Sequence, residues 1–198
     1  MIRFCDIVLS CLGLLLLSPL FVVVAVWIVI DNPGPIFYRQ MRVGKDGKDF
    51  GLLKFRSMRV GADKSSLITI GEHDSRITRA GYYIRKYKLD ELPQLWNVLV
   101  GDMSLVGPRP EVRKYVDLYT PEQMKVLSVR PGLTDYASIR YVNENALLAA
   151  SDDPEQTYIH EIMPDKLALN LKYIQEQSLW VDLKIILKTF AAIIHRSK

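Results

Sequence analysis

The 198 residues are enough for one ordinary domain with a core of its own, and too few for two domains of typical size. The net charge of +4 comes from 26 basic and 22 acidic residues in mixed order, which argues against a basic tail. So small a positive charge is equally compatible with binding to nucleic acid, to anionic lipid and to phosphorylated metabolites. Cys5 and Cys11 lack the neighbouring ligands of a zinc site and do not suggest a disulfide framework, so we expect two reduced thiols.

The first predicted element is an apolar segment from Ile7 to Ile30. As a straight helix of about 24 residues it would span the hydrocarbon core of a bilayer, which is ~30 Å thick. It is too long for the apolar part of a signal peptide, and no small-x-small cleavage site follows it. Two membrane arrangements remain: a single pass, and a re-entrant helix that enters the bilayer and turns back.

Ser18 and Pro19 lie in the middle of this segment. Proline removes one backbone donor and bends a helix, and the serine hydroxyl can bind a carbonyl that the proline leaves free. Basic residues stand on both flanks: Arg3 before the segment, and Arg39, Arg42 and Lys45 after it. Positive charge on both sides suits a segment whose two ends face the cytoplasm. A kinked single-pass anchor fits the same residues, so both arrangements stay open.

The following stretch predicts short strands and then a helix. A turn cluster at 31–35 closes the apolar segment, and the extended stretches 36–38 and 50–55 flank a turn at 44–47, which predicts a β-hairpin. Residues 61–75 are polar and predict a loop. A helix is predicted next, with Gly101 as its C-terminal stop and with apolar residues at helical spacing: Leu92, Leu95, Trp96 and Leu99.

The C-terminal part predicts mainly helices. Residues 120–123 and 153–156 resemble capping boxes with proline at the first helical position, and Pro164 is expected to open a helix that runs towards Glu176. The segment 179–194 is amphipathic, with Lys184 and Lys188 on the other side from its apolar residues. This pattern suits a helix in a membrane interface, and a core helix fits it equally well.

Asp90 and Glu91 are the strongest candidates for chemistry. If Pro93 occupies the first turn of the following helix, both acids lie at its N-terminal end, where backbone donors and the helix dipole stabilise ionised carboxylates. An ionised aspartate can attack phosphorus and form an acyl phosphate, and a neighbouring carboxylate can help to hold Mg²⁺. Acid pairs in such positions are usually helix caps without chemistry, so the surrounding residues decide between the two interpretations.

Several cations surround this acid pair in the sequence. Arg109 stands between two prolines and Arg130 precedes one, which restricts their backbones and lowers the ordering cost of a bidentate phosphate clamp. The cations upstream of the pair are Lys54, Arg56, Arg85 and Lys88. Each of them alone is better explained as a solvated or carboxylate-paired side chain, but together they indicate a phosphate-rich substrate.

These motifs resemble those of a known family. The runs LDELPQL at 89–95 and GDMSLVGPRP at 101–110 are similar to those of the bacterial sugar transferases, the monotopic phosphoglycosyl transferases that start lipid-linked glycan assembly. Further blocks of the family occur in the same order at 55–58, 74–79 and 130–132. The residues that resemble the family's membrane-entry segment are Arg3, Asp6, Ser18 and Pro19. The likeness runs from residue 2 to about 135, and the chain resembles minimal members that consist of the catalytic domain.

The resemblance implies a fold of the α+β class that is mainly helical. Its expected parts are an N-terminal re-entrant membrane helix, a small β-hairpin and interfacial amphipathic helices. All 198 residues would form one phosphoglycosyl transferase domain, with the re-entrant helix at 1–31 and a catalytic part at 32–198 on the membrane surface. The implied location is the cytoplasmic face of the bacterial inner membrane.

The activity implied by the resemblance is transfer of a sugar-1-phosphate from a UDP-sugar to undecaprenyl phosphate, with release of UMP. Asp90 would be the nucleophile and would carry a phosphosugar intermediate, Glu91 would assist, and both would be Mg²⁺ ligands. The expected phosphate- or nucleotide-binding residues are Lys54, Arg56, Arg85, Arg109 and Arg130. The implied partners are the donor, the acceptor and the lipid bilayer, without nucleic acid, and a homodimer stays open.

Two questions are left open by the resemblance. A membrane-anchored nucleotide-sugar sensor or scaffold that binds without turnover is the alternative function. After residues 130–134 many family members continue with Gly and soon a Gln, whereas here Asp135-Tyr136-Ala137-Ser138 follows. The stretch 135–164 therefore cannot be mapped onto the family pattern, and we hypothesise that it selects the sugar.

Overall fold

The computed structural model describes residues 1–62 and 74–196, the last four of these by their backbone only. Its α-helices in chain order are α1 (Ile2–Asp31), α2 (Arg79–Lys86), α3 (Gln94–Val100), α4 (Arg113–Val116), α5 (Tyr136–Arg140), α6 (Glu144–Ala149), α7 (Pro154–Thr157), α8 (Met163–Glu176) and α9 (Leu179–Arg196). The strands are β1 (Phe37–Val43), β2 (Asp49–Phe55), β3 (Ser104–Val106) and β4 (Gly132–Thr134). The α+β, mainly helical prediction is confirmed, while most of the predicted loop at 61–75 lies outside the described residues.

Helix α1 contains the predicted apolar segment and continues unbroken through Pro19. Proline has no amide hydrogen to give to the carbonyl four residues earlier, which belongs to Leu15. The Ser18 hydroxyl donates to that carbonyl oxygen at 2.8 Å. The serine therefore satisfies the group that the proline leaves free, as the sequence predicts.

One face of α1 packs against the rest of the protein from its first turns to its last. Asp6 and Ser10 are buried near its start, and Val24 and Ile28 near its end. The opposite face exposes large apolar residues: Leu12, Leu15, Leu16, Val22, Val23, Val26 and Ile30. Within 1–62 and 74–196, α1 is the one helix long and apolar enough to cross a bilayer, with a mean hydropathy of 2.8. Its exposed apolar face indicates membrane association.

Strands β1 and β2 form the predicted antiparallel hairpin, with pairs from Phe37 opposite Phe55 to Val43 opposite Asp49. The turn between them contains the 3₁₀ segment Lys45–Gly47, in which Asp46 and Gly47 adopt positive φ angles of 56° and 71°. Such angles suit Asp and Gly, which tolerate the left-handed region. The hairpin carries Lys54 and Arg56 to the side of the protein where the acid pair lies.

The end of α1 is fastened to α2 beside the hairpin. Val24 and Ile28 pack with Phe55, Ala80 and Ile84 in one apolar cluster. The Asp31 carboxylate accepts a hydrogen bond from the Ala80 amide at 3.0 Å. Because Ala80 lies in the first turn of α2, this bond also satisfies one of the free amides of the helix start.

The C-terminal helices largely confirm the sequence prediction. Gln123 and Thr120 bond reciprocally as a capping box, although the segment that follows is a 3₁₀ helix (Gln123–Ser128). The Asp153 side chain caps α7 through the Gln156 amide at 3.1 Å. Helix α8 is continuous with the π-helical turn Tyr158–Ile162 before it.

Helix α9 has two different faces. Asp182 and Ile185 are buried against the body of the protein. The exposed face carries an apolar stripe made of Trp180, Leu183, Leu187 and Phe190. Lys184 and Lys188 are exposed beside this stripe. The two lysines thus adjoin the stripe instead of lying on the side opposite the apolar residues. The buried side fits the interpretation as a core helix, and the position in a membrane interface stays a prediction.

Candidate active site

Asp90 and Glu91 lie in the 3₁₀ turn Leu89–Glu91, directly before α3. Their place ahead of a helix is confirmed, but the 3₁₀ turn intervenes, and Pro93 is the N-cap residue of α3 rather than part of its first turn. The Trp96 amide bonds the Pro93 carbonyl at 3.0 Å, which starts the helix from the proline. Gly101 ends it with a φ of 102°, as predicted.

The first turns of α1 support this segment from behind. Arg3 donates to the carbonyl oxygens of Val98 and Leu99 at 2.6 and 2.9 Å, at the C-terminal end of α3. The Asp6 carboxylate accepts from the Ser104 hydroxyl at 2.8 Å and from the Leu105 amide at 3.0 Å. The predicted membrane-entry residues Arg3 and Asp6 thus fasten α1 to the elements that follow the acid pair.

Glu91 is held by an arginine. Arg109 reaches both oxygens of the Glu91 carboxylate, with an Nη1–Oε2 distance of 3.2 Å, and the Lys88 ammonium lies 3.8 Å from Oε1. Burial by itself would raise the pKa of Glu91, but the charges of Arg109 and Lys88 outweigh it and hold that pKa well below its usual range. Glu91 is therefore an ionised carboxylate that accepts a hydrogen bond from Arg109 at each oxygen.

Asp90 stands in a different environment. Its side chain is buried at 7% exposure, and its Oδ1 atom has no hydrogen-bond partner. Burial and, after it, the negative charge of Glu91 raise the pKa of Asp90, against the opposing charges of Lys54 and Arg85. A buried polar atom without a protein partner is costly, and a ligand or substrate bound at Oδ1 would relieve that cost. Oδ1 is the one carboxylate oxygen of the pair that is both buried and without a partner.

Lys54 and Arg85 line the same cavity as the acid pair. Burial, followed by the positive charge of Arg42, lowers the pKa of Lys54 to about 8. An ammonium held among arginines is suited to a phosphate, whose negative charge would relieve their repulsion. The predicted cations Lys54, Arg85 and Arg109 are therefore brought together around Asp90.

Arg56 and Arg130 occupy other places. Arg56 lines the cavity but is turned to the end of α1, where it donates to the Asn32 carbonyl; its Nε and Nη1 atoms are buried without a partner. Arg130 is exposed, donates to the Gly101 carbonyl at 2.9 Å, and is not among the residues that line the cavity. Ser18 and Pro19 are also outside the lining. For Arg130 a role in substrate binding stays a prediction without support from its position.

Two functional candidates were missed by the sequence analysis. Arg42 lines the cavity and bonds Glu111 at 2.8 Å, and no local pattern marks it. Asp135 is fully buried and accepts from the Arg109 amide at 3.2 Å and from the Ser138 amide at 2.6 Å. The signal for Asp135 was its position, because the chain departs from the family pattern at that residue.

A cavity of about 990 Å³ joins these groups. Its size is in the upper range of small-molecule sites. The acid pair and its cations form one side, and residues of the unmapped stretch form another: Ser138, Tyr141, Glu144, Asn145 and Tyr158. The hypothesis that this stretch selects the sugar stays untested, but these residues do lie at the site.

The acid pair fits a metal only in part. Among the described residues, no three Asp, Glu, His or Cys side chains converge as a preformed metal site. Mg²⁺ needs few protein ligands when substrate phosphates complete its shell, so the two carboxylates of Asp90 and Glu91 would be enough. Glu91 would contribute a lone pair that its two bonds to Arg109 leave available.

The chain is similar in sequence to known proteins of one family. Residues 1–196 match the family described as bacterial sugar transferase. The UDP-glucose:undecaprenyl-phosphate glucose-1-phosphate transferase of Caulobacter vibrioides is 38% identical over 195 residues, which cover 97% of this chain and 69% of that protein.

Two further relatives are longer than this chain. The UDP-N-acetylgalactosamine-undecaprenyl-phosphate N-acetylgalactosaminephosphotransferase of Aeromonas hydrophila is 38% identical, over 96% of this chain and 42% of its own length. The UDP-glucose:undecaprenyl-phosphate glucose-1-phosphate transferase of Escherichia coli K12 is also 38% identical, over 93% of this chain and 38% of its own length. The chain thus spans about two fifths of these two relatives.

Proposed function

Because the chain belongs to the bacterial sugar transferase family, we propose that it transfers a sugar-1-phosphate from a UDP-sugar to undecaprenyl phosphate and releases UMP. The observation that carries the proposal is the partnerless Oδ1 of Asp90 in a cavity lined by Lys54, Arg85 and Arg109. Relatives named for glucose and for N-acetylgalactosamine are equally identical to it, so the proposal names the donor class and not one sugar.

The proposed reaction has two displacements at one phosphorus atom. In the first, Asp90 Oδ1 attacks the phosphorus that bears the sugar, the bond from that phosphorus to the bridging oxygen breaks, and UMP leaves with the bond electrons. In the second, a phosphate oxygen of the acceptor attacks the same phosphorus and the Asp90 carboxylate leaves. The products are a sugar-diphosphate lipid and the free enzyme.

The other residues of the site have positioning and electrostatic roles in this scheme. Arg109, held in place by Glu91, and Lys54 would bind the diphosphate oxygens and stabilise the charge that develops as UMP leaves. Mg²⁺, bound through Asp90 and Glu91 together with the diphosphate, would supply further neutralisation of that charge. Because Glu91 already has its oxygens on Arg109, we assign it first to orienting the arginine.

We place the whole chain as one domain on the cytoplasmic face of the inner membrane, with α1 as a re-entrant helix. Both ends of α1 contact the same body: Arg3 and Asp6 bond to residues around α3 and β3, and Asp31 bonds to α2. A single-pass helix would carry its first residues to the other side of the bilayer, away from these partners. The outward apolar stripe of α9, beside its two lysines, supports an interfacial position for that helix.

A panel of UDP-sugars with undecaprenyl phosphate, read by UMP release, tests the proposal. We expect one or a few donors to give UMP, and Asp90→Asn to abolish release even without acceptor. Near-normal turnover by Asp90→Asn would rule out covalent catalysis. Donor binding by the wild-type protein without UMP release, for every sugar in the panel, would instead support the sensor or scaffold.

A further inference from the structure

The cavity has a polar side and an apolar arm. Asp90, Lys54 and Arg109 belong to the polar lining, and we call the lining that comes from the two apolar helices α1 and α9 the apolar arm. From α1 the arm is lined by Leu9, Gly13, Leu17 and Leu20, and from α9 by Ile186, Thr189, Phe190 and Ala192. Such a division suits a ligand with a charged head and a hydrocarbon body.

Thr189 is the polar exception in this arm, but its hydrogen bonds are internal. The Thr189 hydroxyl pairs with the Thr134 hydroxyl at 2.7 Å and donates to the Ile185 carbonyl at 2.9 Å. It therefore does not require water inside the arm. A Cβ added at Gly13 would meet the Leu95 side chain at 3.2 Å, so the glycine lets Leu95 pack closely against α1 at the edge of the arm.

Two lining residues of the arm are also exposed at the apolar surface of the protein. Leu9 is 49% exposed and Phe190 is 62% exposed, yet both also line the cavity. Beyond them lie the outward apolar faces of α1 and α9, which include Leu12, Leu16 and Leu187. A ligand leaving the cavity between these helices would therefore pass onto a surface suited to lipid rather than to water.

We infer that the gap between α1 and α9 is a lateral groove for the hydrocarbon chain of an isoprenoid phosphate, whose phosphate lies at the cationic side of the cavity. The inference rests on the proposed function and deepens it. A nucleotide sugar is polar throughout and has no part that would fill an apolar arm. The charged head and apolar chain of the lipid match the two sides of the cavity, so the arm belongs to the acceptor.

Matched substitutions on the two helices test the groove. Ala192→Phe and Leu17→Trp add bulk to lining residues, whereas Ala191→Phe and Leu16→Trp add the same bulk at exposed positions one residue away. Each variant is measured with two acceptors, undecaprenyl phosphate and geranyl phosphate, and in a single-turnover release of UMP without acceptor.

We expect the lining variants to release UMP at the wild-type rate without acceptor and to lose about tenfold in kcat/KM for undecaprenyl phosphate, the size of a one-side-chain pocket effect. Geranyl phosphate should be less affected, because a short chain occupies less of the groove. The control variants should behave as the wild type with both acceptors. Equal losses for the two acceptors, or losses as large in the controls, would overturn the inference.

Photocrosslinking tests the location of the groove independently of the reaction. An undecaprenyl phosphate analogue that carries a diazirine along its chain is crosslinked to the wild-type protein in nanodiscs. We expect labelled peptides from both α1 and α9 around Leu17 and Ala192. Absence of UMP release for every donor would sink the proposed function alone, whereas labelling of other peptides only would sink the groove.

Discussion

Arg109 donates hydrogen bonds to both carboxylate oxygens of Glu91, whereas Oδ1 of the neighbouring Asp90 has no hydrogen-bond partner. Two adjacent acids thus have opposite assignments. Glu91 is committed to an arginine that faces the cavity, and Asp90 is left with a buried oxygen for a ligand or a substrate. The division follows from position, since only the second acid of the pair is within reach of the arginine between two prolines.

Replacing Arg109 by lysine should slow the reaction without unfolding the protein. Lysine keeps the charge but makes one bond where the guanidinium makes two, which costs roughly tenfold to a hundredfold in kcat/KM for UMP release. Arg113→Lys is the matched control, because Arg113 pairs with Asp49 at an exposed site outside the cavity lining. Equal activity in the two variants would contradict the role of the Arg109 clamp.

Glu91→Gln should reduce overall turnover severely while a slow first displacement persists. The amide cannot hold Arg109 with charge, but Asp90 is still present to attack the donor. Single-turnover UMP release should therefore show a slow phase that approaches one UMP per enzyme. Release at the wild-type rate would mean that Glu91 does not position the arginine.

The donor kcat/KM should fall as the pH rises through about 8, the pKa to which burial and Arg42 lower Lys54. Above that pH Lys54 loses its proton, and with it the charge that binds phosphate; below it the charge is retained. Lys54→Arg should move this fall to higher pH, because a guanidinium stays protonated. A basic limb that does not move in this variant would assign it to another group.

Asp135→Ala should affect both the stability and the reaction. It leaves the Arg109 and Ser138 amides without their acceptor, which should lower the free energy of unfolding by about 1–3 kcal/mol. Because the Arg109 amide also loses its hydrogen bond to Asp135, kcat should fall by a larger factor than KM changes. Asp135→Asn should recover part of the lost kcat.

Asp153→Ala is the control for Asp135, because Asp153 also caps a helix but lies outside the cavity lining. It should cost about 1 kcal/mol in stability, the usual value of an N-cap, with no change in kcat. The same kcat loss in both variants, measured beside their thermal unfolding, would show that Asp135 acts only through stability.

The proposal that both ends of α1 lie on one side of the bilayer can be tested by cysteine labelling. In a variant without Cys5 and Cys11, single cysteines are placed before Met1 and at Lys45, in the exposed hairpin turn. A membrane-impermeant maleimide should miss both cysteines in intact spheroplasts and reach both in inverted vesicles. Labelling of the N-terminal cysteine in spheroplasts would establish a single pass instead.

Structural features formed by residues that are close together in the chain could be predicted from the sequence. The Ser18 bond to the Leu15 carbonyl, the hairpin turn at 44–47 and the Gly101 stop each depend on residues within a few positions of one another. Local geometry and residue type decide such features, so composition and spacing are sufficient. The acid pair before a helix belongs to the same class.

Which cation serves the acid pair was decided only by the folded chain. Arg109 reaches Glu91 from 18 residues away, whereas the equally suggestive Arg130 caps α3 through the Gly101 carbonyl. Asp135, which only the departure from the family pattern marks in the sequence, joins Arg109 to α5. These outcomes depend on how β3 and β4 pair and on how α1 docks, and a side chain's charge does not encode where tertiary packing will carry it.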